Sequence, residues 1–461
     1  MKKLANFIRI QNGYAFKSSE FSNDKNGIPV IKIGNITGGN FVDLSSYQTV
    51  SNKLLGNLSN YLTKDNDILI AMTGANVGKV SRVAPNERAC FINQRVGRIL
   101  IHKDCEYSSD FIYYLLSSSK SYQYFSKIAY GAAQPNISGK LIEDLDFPEV
   151  SIKQGNKAAE LLRKIDQKIL LNTQTNQTLE QIAQGIFKHW FIDFAPVHAK
   201  ANALARGETT EQAELAAMAC LSGKTVEKIT ALKTQDPTAY HQLQQTAAAF
   251  PSEFVETEMG KVPKGWKVKP LPEIFDFLEG PGIRNWQYTE NEDGIKFINI
   301  RCINNDDLSL NTANKITKEE AFGKYKHFQL AENDIVISTS GTLGKTAIVR
   351  QEHLPLCLNT SVIRFRTIEN ISTFPFLYGF VKTQLQIELD ARASGSVQRN
   401  FGPTHLKQIS LLVPNFELLK AHQSIVQPLF EKRKNNLSQN DNLSKTRDEL
   451  LPRLLSGEIK L

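Results

Sequence analysis

Gly27 to Phe41 reads GIPVIKIGNITGGNF, and 267 positions later Gly294 to Leu308 reads GIKFINIRCINNDDL. The same offset carries NDILIAMTGANVGKVSRV, from Asn66, onto NDIVISTSGTLGKTAIV, from Asn333. CFINQRV from Cys90 is matched by CLNTSV from Cys357, and GAAQPN from Gly131 by GSVQRN from Gly395. The order of elements is the same in both copies. A period this long is no solenoid unit, so the chain carries a duplicated domain over residues 1–150 and 266–414. Each copy alternates short apolar runs with Gly, Asn and Asp, and holds a helical stretch, near Asp110 to Ile128 and Phe374 to Leu389. That pattern predicts mixed α+β domains.

Length and composition agree. The 461 residues exceed what one core usually holds, and 41% hydrophobic with 22% charged residues is the balance of a folded globular chain. No run approaches the ~18 apolar residues of a membrane span, and MKKLANFIRIQNG lacks a hydrophobic signal core. A soluble, cytoplasmic protein is the expectation. Five cysteines, odd in number and without a C-x-x-C pair, predict reduced thiols rather than disulfides or a thiolate metal site. The net charge of +8 suits a polyanionic partner, but residues 1–150 hold 17 basic against 13 acidic side chains and residues 266–414 hold 17 against 16. Any nucleic-acid surface must therefore be assembled by folding.

Past the end of each copy the chain changes character. From Ile152 to Trp190 there is no proline, and apolar residues return at helical spacing. One heptad position runs Ala158, Ile165, Asn172, Leu179, Ile186, and the other Leu162, Ile169, Asn176, Ala183, Trp190. Eight of these ten are apolar, as a coiled-coil seam requires. The segment after the second copy repeats the arrangement and places Asn436 and Asn440 where Asn172 and Asn176 stand. If the two helices run antiparallel these amides face one another and fix register. Pro452 is expected to kink or end the second helix. The predicted architecture is α+β: similar mixed α/β domains at 1–150 and 266–414, separated by a long antiparallel two-helix coiled coil formed by 151–194 and 415–461. Residues 195–265 remain, Ala- and Gln-rich and broken at Gly207, Gly223 and Pro237. They read as two or three short helices, either a solvated linker or a docking region.

With these motifs in order twice over, the sequence resembles the specificity subunits of type I restriction-modification systems. The resemblance covers nearly the whole chain. It rests on N-D-I-L-I-x-x-T-G-x-x-x-G-K (Asn66 to Lys79), its partner ending S-G-T-L-G-K (Ser340 to Lys345), G-x-x-Q-x-N in both halves, and HWFIDFAP from His189 with MGKVPKGW from Met259. It implies two target-recognition domains that read a bipartite, asymmetric site in double-stranded DNA. It also implies assembly with two methyltransferase subunits and, in the nuclease form, with restriction and translocase subunits. The chain itself would be non-catalytic and need no cofactor.

The residues allow other readings. T-G-A-N-V-G-K and S-G-T-L-G-K suggest a phosphate loop, but the glycine such a loop needs five residues before the G-K pair is Thr73 or Thr339. A nucleotide-hydrolysing enzyme is therefore disfavoured. No N-P-P-Y or D-P-P-Y tetrapeptide and no H-E-x-x-H occurs, so neither methyl transfer nor metal chemistry is indicated. A coiled-coil scaffold joining two non-DNA modules remains the main alternative.

The duplication sorts candidate contacts, because two domains that read different half-sites cannot tell them apart with shared residues. Shared positions, Lys79 and Lys345, Gln134 and Gln398, Asn136 and Asn400, are expected to grip phosphate or hold loops. Base readout is expected from loops that diverge: Tyr14, Lys17, Asn35 and Thr37 in the first copy, and Arg284, Asn285, Arg301 and Asn304 in the second. Arginine to guanine and asparagine to adenine are pairings that major-groove geometry supports.

Overall fold

The computed structural model describes residues 2–129, 135–258, 260–304, 306–341, 343–392 and 401–461. It forms two compact units, one of residues 1–173 with 437–461 and the other of residues 174–436.

In the first unit a four-stranded antiparallel sheet has Val96–Ile101 between Ile8–Asn12 and Ile68–Ala71, with Val80–Arg82 at the edge. A second sheet places Ile28–Ile31 between antiparallel Gln48–Val50 and parallel Phe91–Ile92. The second unit repeats both. Val362–Thr367 lies between Phe275–Glu279 and Ile335–Ser338, with Thr346–Ile348 at the edge. Ile295–Phe297 lies between antiparallel Lys315–Ile316 and parallel Leu356–Cys357. Equal strand order and pairing sense confirm that sequence repeat and structural repeat coincide.

Each predicted helical stretch is two helices: Ser109–Ser117 and Ser119–Ala129 in one unit, Phe374–Thr383 and Leu385–Arg392 in the other. At Ser118 the backbone turns extended, and its hydroxyl accepts from the Ser121 amide, so the chain stops one helix and caps the next within one residue. All five cysteines are unpaired, and burial pushes the Cys90 and Cys357 thiols up to about 12. Among the described residues no helix is long and apolar enough to cross a membrane.

The long helices, Ile152–Phe191 and Phe416–Leu455, are each 40 residues and contribute to both units. Pro452 does not end the second, which runs on to Leu455. Within the first unit the segments run antiparallel: Gln154 donates to the Ile459 carbonyl, Arg447 to Asp166, and Asn172 to Asn440 at 2.9 Å and Gln439 at 2.8 Å. Within the second, Asn436 donates to the Asn176 carbonyl oxygen at 2.8 Å and Asn176 to the Arg433 carbonyl at 3.3 Å. Both segment pairs also wall the cores. Ala158, Leu162, Leu451 and Leu454 pack in one cluster with Phe111, Tyr114 and Phe125. Phe187, Trp190, Leu419 and Val426 pack in another with Phe376 and Phe380. Gly379 is needed there, since a Cβ on it would stand 2.0 Å from the Phe187 ring.

The central region is four helices, not two or three: Ala195–Ala205, Thr210–Ser222, Val226–Gln235 and Pro237–Ala248. Three breaks in a helical stretch leave four pieces, and each break carries its own signal. Thr209, Thr225 and Asp236 cap the helices that come after them, and Gly223 adopts φ +64° at a helix end. The helices share a small core of Ala217, Met218, Ile229 and Ala247, and buried Lys200 bonds Glu214 at 2.7 Å and the Phe250 carbonyl at 2.8 Å. Trp190 meets Phe250, and Phe191 meets Trp266 beyond the Phe254–Thr257 and Gly260–Pro263 hairpin. This is packed structure, not a solvated linker.

The helix cores make two stability outcomes measurable. Asn176→Leu leaves the Asn436 amide buried without its acceptor, and is expected to cost roughly 1–3 kcal/mol. Adding Asn436→Leu should recover much of that loss in denaturant unfolding; additive losses would show that the two amides do not act as a pair. His422 is fully buried against Phe187, Trp190 and Phe191, and neither ring nitrogen has a hydrogen-bond partner. Burial lowers its pKa to about 3, so the folded state holds it neutral while the unfolded chain takes up the proton below its ordinary value near 6.5. Its contribution is thus intact above that value and is lost as pH falls towards 3, by up to ~1.4 kcal/mol per pH unit. Unfolding measured from neutral to mildly acidic pH should show this limb flattened in His422→Leu; identical limbs would exclude His422 as the cause.

Candidate nucleic-acid interface

In each domain the first strand of the large sheet leaves through a glycine that only glycine can fill. A Cβ on Gly13 would stand 2.2 Å from the Asn93 carbonyl oxygen, and one on Gly280 2.1 Å from that of Asn359. The Gly13 amide donates to Val96 and the Gly280 amide to Val362. Beyond this crossing both loops form the same one-turn 3-10 helix, Ser18–Glu20 or Asn285–Gln287. The Glu20 carboxylate accepts from the Lys17 amide at 2.6 Å, and the Gln287 carbonyl oxygen from the Arg284 amide at 3.1 Å. Lys17 and Arg284 therefore occupy equivalent places, and both are exposed, as is Asn285. Tyr14 is half-buried between Phe16 and Tyr61, with its amide on the Ile92 carbonyl, so its ring belongs to the packing under the loop.

The second loop comes after the central strand of the small sheet. Asn35 points inward: its oxygen accepts from the Lys32 amide, and its nitrogen donates to the Asp43 and Ser46 carbonyls, both at 2.8 Å. Both amide hydrogens are spent within the loop and the side chain is buried, so Asn35 cannot make the bidentate contact to adenine expected of it. The corresponding residue of the other copy, Cys302, is fully buried. Thr37 and its counterpart Asn304 are exposed, as is Arg301. Asn304 pairs with Asp307 in a short hairpin.

The glycine-lysine turn joins two antiparallel strands, Ile68–Ala71 to Val80–Arg82 and Ile335–Ser338 to Thr346–Ile348. A phosphate loop joins a strand to a helix whose N-terminal amides face the phosphates, so this turn lacks that architecture. Gly74, Gly78, Gly341 and Gly344 all have positive φ, from +65° to +80°, which accounts for their recurrence. Lys79 is half-buried and donates to Asn76 at 2.9 Å, while Asn76 donates to the Ile33 carbonyl. The first copy's second and third loops are thereby tied together. Lys345 is exposed, with its amide on the Ser338 hydroxyl. Asn136 is exposed and forms a bridge with Thr73, placing it beside the same turn. Gln134, Gln398 and Asn400 lie outside the described residues.

A fourth segment went unread in the sequence. Asn93, which the Gly13 crossing touches, precedes exposed Gln94 and Arg95, and the Arg95 carbonyl accepts from Met72. In the other copy Asn359 precedes Thr360 and Ser361, and the Ser361 carbonyl accepts from Thr339. The pair belongs to CFINQRV and CLNTSV, whose likeness concealed that their tips differ. Among the described residues no cluster of metal-ligating side chains occurs.

Two α+β domains that repeat one glycine-pinned loop frame under unlike exposed tips define a double-headed recognition protein. Residues 1–181 and 263–442 match the family described as type I restriction modification DNA specificity domain. The chain is 34% identical over 362 residues to the type I restriction enzyme HindI specificity subunit of Haemophilus influenzae, covering 76% of this chain and 77% of that one. It is 25% identical over 463 residues to the EcoBI specificity subunit of Escherichia coli, covering 98% and 84%. A solved S subunit from M. genitalium aligns over 98% of this chain and 95% of its own, with 16% identity and a TM-score of 0.47. The chain belongs to the type I restriction-modification specificity subunits. That membership disfavours the scaffold of two non-DNA modules.

The crossing glycines give a direct check. Gly13→Ala and Gly280→Ala should each destabilise their domain by roughly 1–3 kcal/mol, because the added methyl meets backbone. Gly34→Ala, with nothing within 4 Å of the new methyl, should stay within about 0.5 kcal/mol in the same thermal unfolding assay. Equal effects at all three would mean that the crossing tolerates a side chain.

Proposed function

We propose that this chain is the non-catalytic sequence-reading subunit of a type I restriction-modification complex. Each domain reads one half of a bipartite, asymmetric site in duplex DNA, and methylation and cleavage are left to two modification subunits and to restriction subunits. The observation that carries this reading is the pairing of a common loop frame with unlike exposed tips: Ser19 with Trp286 beside the shared cation Lys17 or Arg284, Thr37 with Asn304, Gln94 with Thr360. A shared frame presents each tip to the same kind of surface, and unlike side chains at the tips are what two different half-sites require. Lys79, Lys345 and Asn136, beside the glycine turns, serve phosphate contact and loop support.

Exchange of residues 1–150 for the corresponding domain of a relative, in the assembled complex, should alter one half of the methylated motif and leave the other unchanged. Modified-base sequencing reads both halves at once, and changes in both would refute independent readers. Binding of random duplex should fall linearly with salt on a log-log plot. Arg284→Ala and Lys345→Ala should each reduce that slope by about 1 if the cation meets a phosphate. A slope unchanged in both variants would remove these two from the DNA surface.

A further inference from the structure

Trp286 stands on the one-turn helix Asn285–Gln287 and is 79% exposed, more than any other large hydrophobic residue described. Its presentation is fixed from both sides. On one side Ile283 is buried, with its amide on the Asn359 side chain at 3.1 Å. On the other, Gln287 is buried and donates to the Tyr325 hydroxyl at 2.7 Å and to Glu320 at 3.0 Å. An indole left in water on a pinned turn incurs the hydrophobic cost of exposure without contributing to the fold, and little entropy remains to be lost when it is covered. At the equivalent place in the first domain, between Lys17 and Glu20, the residue is exposed Ser19. The loop frame therefore does not demand an aromatic ring. The cation beside it, Lys17 or Arg284, is kept in both copies, so the ring is an addition to a loop that already carries positive charge.

We infer that Trp286 is a DNA-contacting residue of the second domain, packing its indole on a deoxyribose or thymine methyl exposed in a groove of the second half-site while Arg284 holds the neighbouring backbone. This rests on the reading of the chain as a DNA-recognition subunit and adds to it an apolar contact that the first domain lacks at that place. Aromatic contact of this kind strengthens binding without releasing counterions, so affinity and salt dependence separate.

Of the three tryptophans, Trp190 and Trp266 are buried, at 3% and 8% exposure, so Trp286 alone should report on a surface event. The chain is produced with fluorotryptophan, assembled with unlabelled modification subunits, and titrated with a duplex carrying the motif that modified-base sequencing returns. The Trp286 resonance, assigned by its loss in Trp286→Phe, is expected to shift on addition of duplex. Trp286→Ala should weaken binding about tenfold with an unchanged salt slope, and Trp286→Phe should retain most of the affinity. Duplex binding with the resonance unmoved and Trp286→Ala at full affinity would overturn this inference and leave the proposed function standing. A shift produced by the modification subunits before any DNA is added would assign the ring to a protein contact and overturn it equally. Failure of the wild-type complex to bind the duplex at all would end both readings.

Discussion

Neither recognition domain closes its own core. In the first unit the face of the Ser109–Ser117 helix that carries Phe111, Tyr114 and Leu115 is covered by Ala158, Leu162, Leu451 and Leu454, which come from the two long helices. In the second, Phe376 and Phe380 lie in one cluster with Phe187, Trp190, Leu419 and Val426. Removing the helix segments would expose large aromatic side chains in either unit, at a cost of the order of 1.5–3 kcal/mol for each. The antiparallel segments are therefore part of what makes each domain a folded body, and the loops inherit their rigidity from a core that includes them.

Polar contacts to the helices are distributed less symmetrically than the sheets. In the first unit Asp166 of the first long helix accepts from Tyr114 at 2.6 Å and pairs with Arg82 and with Arg447 of the second long helix. Burial, and then the neighbouring carboxylate, push the Tyr114 phenol far up, so it keeps its proton and donates. In the second unit Glu180, again of the first long helix, accepts from Tyr378 and pairs with Lys382. Arg433, again of the second, donates to the Asp306 carbonyl. The first helix supplies the acid and the second the arginine both times, although the domains are copies. Buried charge pairs add little net stability but penalise wrong partners heavily. This arrangement disfavours docking either domain on helices of exchanged identity. In the first unit it also reaches the loops, since Arg82 donates to Asn40 at 2.6 Å.

Much of this was legible in the sequence because it repeats. A period of 267 residues marks the domain pair, heptads mark the helices, and four asparagines in two apolar seams mark the amide contacts. Side-chain direction was not legible. Asn35 and Thr37 are two residues apart in one polar loop, yet one is spent on three bonds within the loop and the other faces solvent. Tyr14 reads as a base contact in the sequence because Tyr61, one of the two rings it packs on, is 47 residues away. Arg95 and Trp286 are hidden in the sequence for opposite reasons: one sits in a motif whose two copies look alike, and the other is an apolar residue among polar loop neighbours.

The same distinction governs how charge is to be read. Lys and Arg exceed Asp and Glu by only eight, a slight excess for a protein that meets a polyanion. Yet many of the arginines face inward: Arg82 on Asp110, Arg98 on Asp67, Arg350 on Asp307 and Arg364 on Asp276, each with a side chain no more than 6% exposed. Each such pair consumes one charge of either sign, so they brace the sheets and leave the net balance untouched. Among the described residues Lys17, Arg95, Arg284, Arg301 and Lys345 are instead exposed on the loops. The salt-dependent, sequence-blind part of a protein's affinity for DNA scales with the phosphates it neutralises and not with its net charge, so the small excess of eight does not measure it.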